Sequence, residues 1–315
     1  MSIPAATRVL AIDLGGTKTA AAVVAEDGRV ICKESTPTPL GDPEAAFSTM
    51  LALGKRVLEK SGPAGALGLA LPGIVDRRSG SLLRSPSSGW RDLPLGSMLA
   101  DAFSLPVSAD NDVNACAWGE SIFGAGRGLG SFFWMTVSTG IGGAIVVGGR
   151  VIQGASNMAG EIGHLVVNPG GRGCGCGNRG CLEAEAAGPA WKRCALGLLE
   201  KQPESALSGL PPETIDAKRI ADLARSGDLL CLEVVERMGA MLARGLAAIT
   251  NILDPESIII GGGVAGALDL LLPAIDRSAT SFTFSGRDRP LRIQSSALGY
   301  DAALVGAAAL ALRPY

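Results

Sequence analysis

Histidine and aromatic side chains are scarce in this chain of 315 residues: it has 1 histidine, and Phe, Trp and Tyr together make up 4%. Charge of one sign is missing too. Lys+Arg 28 against Asp+Glu 30 leaves a net charge of −2, so no basic field exists to hold a nucleic-acid backbone. Long apolar runs are absent as well; the most apolar stretch, Ile258 to Ile275, is broken by glycines and by Asp269 and does not read as a membrane span. Cysteines number 7, an odd count with uneven spacing, unlike the paired framework of a disulfide-stapled secreted domain. The start, Met1-Ser2-Ile3-Pro4, shows no charged segment followed by an apolar one. The expectation is a cytoplasmic protein with neither a nucleic-acid nor a membrane partner.

What is present is apolar residue and glycine. Hydrophobic content of 47% supplies cores for two domains of ordinary size. Arg8 to Leu14 reads as a buried strand ending in Asp13, and Thr19 to Ala25 and Arg29 to Glu34 continue as strands around an Asp27-Gly28 turn. Glu44 to Lys60 has helical spacing, Ala66 to Leu71 and Pro106 to Ala109 read as strands, and Asp112 to Phe123 as a helix. A second block repeats the pattern: strand Phe132 to Ser138, a glycine turn from Thr139 to Gly143, then strand Ala144 to Val147. Helices are expected at Glu183 to Glu200, Asp216 to Ser226, Asp228 to Leu253 and Asp301 to Leu312, and a strand at Ser257 to Ile260. Gln202 to Thr214, with three prolines, reads as a surface excursion. Mixed elements of this kind predict α/β layers in two similar halves.

The single histidine, His164, lies ten residues before Cys174, which is followed by Cys176 and Cys181 in a glycine-rich loop. One imidazole and three thiols suit a closed tetrahedral Zn²⁺ site of structural type, with no position left for water. Glu161 and Glu183 flank the cluster, so the metal would pin two carboxylates suited to accepting sugar hydroxyls. The other cysteines, Cys32, Cys116, Cys194 and Cys231, sit in apolar segments and are expected as buried small hydrophobes.

Two glycine turns offer anion cradles. In Asp13-Leu14-Gly15-Gly16-Thr17-Lys18, adjacent glycines expose backbone N–H groups, Thr17 adds a hydroxyl and Asp13 could hold Mg²⁺ through water. Thr139, Gly140 and Gly142 belong to a turn of the same kind, and Gly262 and Gly263 follow a strand where an adenine could lie against backbone. The pair Asn111-Asp112 sits at a strand-to-helix junction, the crevice where ligands of open α/β sheets bind. A carboxylate there suits phosphoryl transfer, accepting the proton of the attacking hydroxyl. The competing reading is that Asn111 or Asp112 caps the helix.

Taken together these segments, with Leu71-Pro72-Gly73-Ile74-Val75-Asp76, Gly160-Glu161-Ile162-Gly163-His164 and Asp301-Ala302-Ala303-Leu304-Val305-Gly306, resemble the ROK (repressor, open reading frame, kinase) family nearly end to end. The resemblance implies an actin-like ATPase (ribonuclease H-like) fold of two α/β lobes with the active site in the cleft between them. It implies a discontinuous first lobe, residues 1–118 plus 301–315, with 119–300 as the second. It implies an ATP-dependent kinase for the 6-hydroxyl of a hexose, foremost glucose, with Asp112 as base, Asn111, Glu161, His164 and Glu183 on the sugar, and the two glycine turns on the phosphates of Mg·ATP. N-acetylmannosamine, N-acetylglucosamine or fructose are the alternative substrates, and a homodimer or homotetramer is the expected assembly. One departure concerns Ser85-Pro86-Ser87-Ser88-Gly89-Trp90. Relatives often carry a sugar-binding asparagine a few residues before this tryptophan, so Ser87 is the substrate-binding candidate here and the hydroxyl preference is expected to shift. The family's repressors add a helix-turn-helix before the first strand; with that strand near Arg8, regulation by DNA binding is not expected, and a non-catalytic sugar-binding protein ranks below the kinase.

Overall fold

The apolar run after Arg8 forms β1 (Val9–Leu14), and the chain returns as β2 (Lys18–Val24) and β3 (Val30–Pro37). The structure is a computed structural model that describes residues 8–86, 88–284, 286 and 290–315. α1 (Pro43–Ser61) begins where the Asp42 carboxylate accepts from the N–H of Glu44 and Ala45 at 2.9 and 3.1 Å, with Pro43 in the first turn. β4 (Ala66–Leu71), β5 (Ile74–Asp76), β6 (Ser81–Arg84), β7 (Arg91–Leu93), α2 (Leu95–Phe103), β8 (Val107–Asn111) and α3 (Asp112–Phe123) follow. Next come β9 (Ser131–Val137), β10 (Ile141–Val147), β11 (Arg150–Ile152), α4 (Leu182–Ala186), α5 (Gly188–Leu199), α6 (Ala217–Arg225) and α7 (Leu229–Leu253). β12 (Ser257–Gly261), α8 (Leu268–Ala279), β13 (Ile293–Ser295) and α9 (Ala302–Leu312) complete the strands and α-helices of the described residues.

Backbone contacts divide the chain into two compact units, one of Met1–Gly130, Ala144–Ala159 and Ser296–Tyr315, the other of Ser131–Gly143 and Gly160–Ser295. In the first, the sheet order is β3-β2-β1-β4-β8, with β1, β4 and β8 parallel. Alternation along these strands sends Leu10, Ile12, Leu14, Leu67, Leu69 and Leu71 to one core, which Met50, Leu53 and Val57 of α1 complete. Each such side chain, fully buried, contributes about 1.5–3 kcal/mol. Alanine-rich α9 packs against the same sheet and against α3 at very short range. A Cβ added at Gly68 would sit 1.8 Å from the Ala307 carbonyl oxygen, and one at Gly306 would sit 2.1 Å from that of Ala115. Glu120, fully buried near the end of α3, accepts from Ala125 N–H at 2.6 Å and Leu298 N–H at 3.2 Å, tying α3 to the approach of α9.

In the second unit β12 runs parallel to β9, pairing Ser257 with Phe132, and parallel to β13. β12 thus lies between β9 and β13. Long α7 packs along α8, where Gly239 meets Ala274. Among the described residues, no helix is long and apolar enough to cross a membrane.

Three expectations need correction. Glu183 to Glu200 is not one helix: Ala187 is extended (φ −65°, ψ 165°) and separates α4 from α5. Pro189 cannot donate a backbone N–H, and the Gly188 N–H instead reaches the Ser138 carbonyl at 2.7 Å. The second glycine turn is shorter than Thr139 to Gly143, because Ser138 N–H bonds Gly140 O at 2.9 Å and β10 already starts at Ile141. Finally, Cys116 and Cys231 are buried, but Cys32 and Cys194 are only half-buried.

Candidate active site

In the first unit, three expected residues meet at the carboxyl ends of parallel strands. Asp13 is near the end of β1, and Asn111 and Asp112 lie where β8 passes into α3. The turn between β1 and β2 is tight, with Gly15 N–H bonding Lys18 O at 3.0 Å. Thr38 fastens it from the side, its hydroxyl donating to Gly15 O at 2.8 Å. Thr17 and Lys18 are exposed, and Gly16 has open space where a Cβ would be. Backbone N–H groups and the Thr17 hydroxyl are thus presented at the strand ends, as an anion cradle requires.

Asn111 is the N-cap of α3. Its side-chain oxygen accepts from Val113 and Asn114 N–H at 2.9 and 3.1 Å, and its amide donates to Gly73 O at 3.0 Å. The oxygen is fully committed, while the NH₂ retains a second hydrogen for a ligand. Capping fixes the first turn of α3, which carries Asp112, a half-buried carboxylate. Burial, then the nearby Asp112 charge, raises the Asp13 carboxyl from 3.8 to about 7, against the opposing pull of Lys18. Two carboxylates at strand ends, close enough to repel, make a site for a cation or for a proton in transit.

Sequence reasoning passed over Asp110, the residue before this pair. It is 1% exposed, and its carboxylate accepts from Asn111 N–H at 2.6 Å and from the Asn114 amide at 3.2 Å. Its signal was the run Asp110-Asn111-Asp112, an acid on each side of an amide.

In the second unit the His164 and cysteine cluster is assembled. Nδ1 of His164 lies 3.6 Å from Cys174 Sγ, Cys176 Sγ lies 3.7 Å from Cys181 Sγ, and all four ligand atoms fall within 4.8 Å of one another. A tetrahedron with Zn–S of about 2.3 Å and Zn–N of about 2.0–2.1 Å puts S···S at about 3.8 Å and N···S at about 3.6 Å. The donor set fits Zn²⁺ in kind and in spacing. Buried Cys181, whose thiol desolvation pushes up to about 12, is the ligand that most needs a cation beside it. With Nδ1 turned to the sulfurs, Nε2 faces Glu161, 3.9 Å from its carboxylate.

Glu161 is exposed, whereas Glu183 is half-buried and its Oε2 accepts from Ile141 N–H at 2.9 Å. That contact needs glycine at 140, since a Cβ there would lie 2.6 Å from the same oxygen. Glu183 therefore ties the cysteine hairpin to the second glycine turn. Gly142 lies in β10, past that turn, while Thr139 is exposed within it. Gly262 has φ +85°, and a Cβ there would meet Val137 O at 2.5 Å, so the strand-to-helix turn after β12 hugs the end of β9. Gly263 opens onto free space. Glu185, also passed over, is buried and accepts from Arg172 N–H at 2.6 Å and the Asn168 amide at 3.3 Å, pinning the hairpin to α4. Ser87 lies outside the described residues.

Comparison with known proteins bears on the chain as a whole. The ROK family model matches residues 9–313. The chain is 35% identical over 313 residues to a glucokinase of Streptomyces coelicolor, covering 97% of this chain and 98% of that one. It is 34% identical over 310 residues to an N-acetylmannosamine kinase of Shigella boydii, covering 96% and 97%. Its fold is similar to the crystal structure of a ROK family glucokinase from Streptomyces griseus in complex with glucose and AMPPNP, with TM-score 0.87 and 36% identity over 96% of this chain and 99% of that one. Full-length similarity of this kind means that the chain belongs to the ROK family and has its two-lobed actin-like ATPase fold.

Proposed function

We propose that this protein is an ATP-dependent sugar kinase that transfers the γ-phosphoryl group to the 6-hydroxyl of a hexose, with glucose the preferred acceptor. The observation that carries this reading is the pairing of Asp13 and Asp112 at the strand ends, beside an open glycine turn. In the proposed reaction the 6-hydroxyl gives its proton to Asp112, its oxygen bonds the γ-phosphorus, and the bond from γ-phosphorus to the bridging oxygen breaks, releasing ADP. Mg²⁺ bound with the nucleotide would balance phosphate charge, with Asp13 the carboxylate nearest its expected place. The backbone N–H of Gly16, the Thr17 hydroxyl, Lys18, and the turn at Thr139 and Gly140 would hold the phosphates, while Gly15, its N–H committed to Lys18 O, would shape the cradle by closing the turn. Gly142 lies just past that turn in β10, and Gly262 and Gly263 would leave room for the base.

Asn111, with its remaining amide hydrogen, and Glu161, Glu183 and His164 Nε2–H would bind the sugar hydroxyls. Zn²⁺ on His164 Nδ1, Cys174, Cys176 and Cys181 would serve structure, since four protein ligands close the tetrahedron. Placement of the active site in the cleft between the lobes, and assembly as a homodimer or homotetramer, belong to the same proposal.

A second reading has its own support. The relative from Shigella boydii is an N-acetylmannosamine kinase at nearly the same identity, and the stretch before buried Trp90 has serines where relatives often have asparagine. One coupled ADP-release screen across glucose, fructose, N-acetylmannosamine and N-acetylglucosamine separates the two. Glucose is expected to give the highest kcat/KM. Highest turnover on an N-acetylhexosamine favours the second reading, and no ADP release with any of them sinks both.

A further inference from the structure

Asp110 receives more than its own junction supplies. Arg77 Nε lies 3.2 Å from its Oδ2, the Gln153 amide lies 3.2 and 3.3 Å from its two oxygens, and the Tyr315 hydroxyl donates to Oδ2. With Asn111 N–H and the Asn114 amide, five donor groups converge on one buried carboxylate. All these residues belong to the first unit. A buried charge is costly unless it is fully paired, and here the pairing reaches from β8 to the segment after α9.

The Tyr315 ring is packed by two neighbours. The Arg77 guanidinium carbon stands 3.7 Å from its ring centroid, and the Trp118 ring centroid is 4.7 Å away at 49°. Trp118, on α3, donates its indole N–H to Arg313 O at 2.7 Å. The tyrosine therefore contacts the polypeptide on both sides of Asp112: Asp110 before it and Trp118 two turns after it. A filler of the same shape would need no hydroxyl. The hydroxyl is aimed at the carboxylate that grips the Asn111 N–H, one peptide upstream of the proposed base.

We infer that Tyr315 is a positioning residue, which through Asp110 fixes the β8–α3 junction and so the orientation of Asn111 and Asp112. The inference rests on the kinase reading for its kinetic arm only. Misplacement of a reacting group by about 1 Å costs on the order of 100-fold in rate, and losing one of five donors should displace it by less.

The test is Tyr315→Phe, which keeps the ring that packs on Arg77 and Trp118 and removes the hydroxyl. Expected are a kcat lowered about tenfold with sugar KM changed less than about twofold, an unfolding midpoint within about 2 °C of wild type, and faster amide exchange at Asn111, Val113 and Asn114. Wild-type kcat together with unchanged exchange overturns the inference. If the wild-type protein phosphorylates no sugar, the kinase reading has failed by itself, and amide exchange alone decides: faster exchange confined to residues 111–114 supports the positioning role, and unchanged exchange ends it.

Discussion

At the β8–α3 junction a fully buried carboxylate gathers five donors and the following helix is capped, so the chain's own hydrogen bonds set the geometry. The cysteine hairpin is built otherwise. Between Asn168 and Gly180 it has neither helix nor strand, most of its residues are exposed, and its glycines add backbone freedom that folding must remove. What anchors it is Glu185 beneath, Glu183 at one end and the four-atom donor set at its centre. One acidic site is made rigid by burial; the other would be made rigid by a metal held on those four ligand atoms. The first should therefore be intact in the folded protein under any metal condition, and the second should not.

The largest effect expected is on the first site. Asp112→Asn keeps shape and the cap of α3 while removing the proton acceptor, so turnover should fall on the order of 1,000-fold. Sugar affinity, read by isothermal titration, should stay within about threefold. Near-normal turnover would remove Asp112 from the chemistry and leave the junction a helix cap.

Metal removal tests the other half of the comparison. A chelator, or Cys181→Ser at the buried ligand, should weaken sugar binding by about 10–100-fold. Nucleotide affinity should change by less than about threefold, and amide exchange in α3 should not change. Equal loss of both ligands with a collapsed unfolding midpoint would mean the metal supports the whole fold, and the contrast between the sites would be wrong.

The same contrast explains what could be read from sequence. Ala66–Leu71 and Asp112–Phe123 matched their observed bounds, because an apolar strand flanked by turn residues and a capped helix are each determined by neighbours in the chain. The ligand set was legible for the same reason, with three thiols within eight residues. Asp110 was not, because its importance comes from Arg77, Gln153 and Tyr315, which are distant in sequence. α2, α8 and the small β5-β6-β7 sheet were also missed. Pro273 inside α8 and the glycines before it hid that helix, and strands of three or four residues carry too little period to read. The break at Ala187 needed Pro189 to be weighed above an otherwise helical pattern.

The smallest effect expected sharpens the account of the buried site by asking what burial costs there. Asp13 has its carboxyl raised from 3.8 to about 7, first by desolvation and then by Asp112. In the folded chain the neutral form is favoured, so the associated stability is complete below about pH 3.8 and is lost as pH rises through about 7. Asp13→Asn removes that dependence. The variant should unfold at the same temperature as wild type near pH 4 and at a higher one by pH 8. Since Asp13 is half-buried and keeps some exposed surface, solvent screening holds the effect to about 2 kcal/mol, or about 5 °C. The gap should open between those two pH values and nowhere else. A gap equal at pH 4 and pH 8 would trace the stabilisation to packing of the amide, and Asp13 and Asp112 would then not be the electrostatically opposed pair on which the phosphoryl-transfer reading rests.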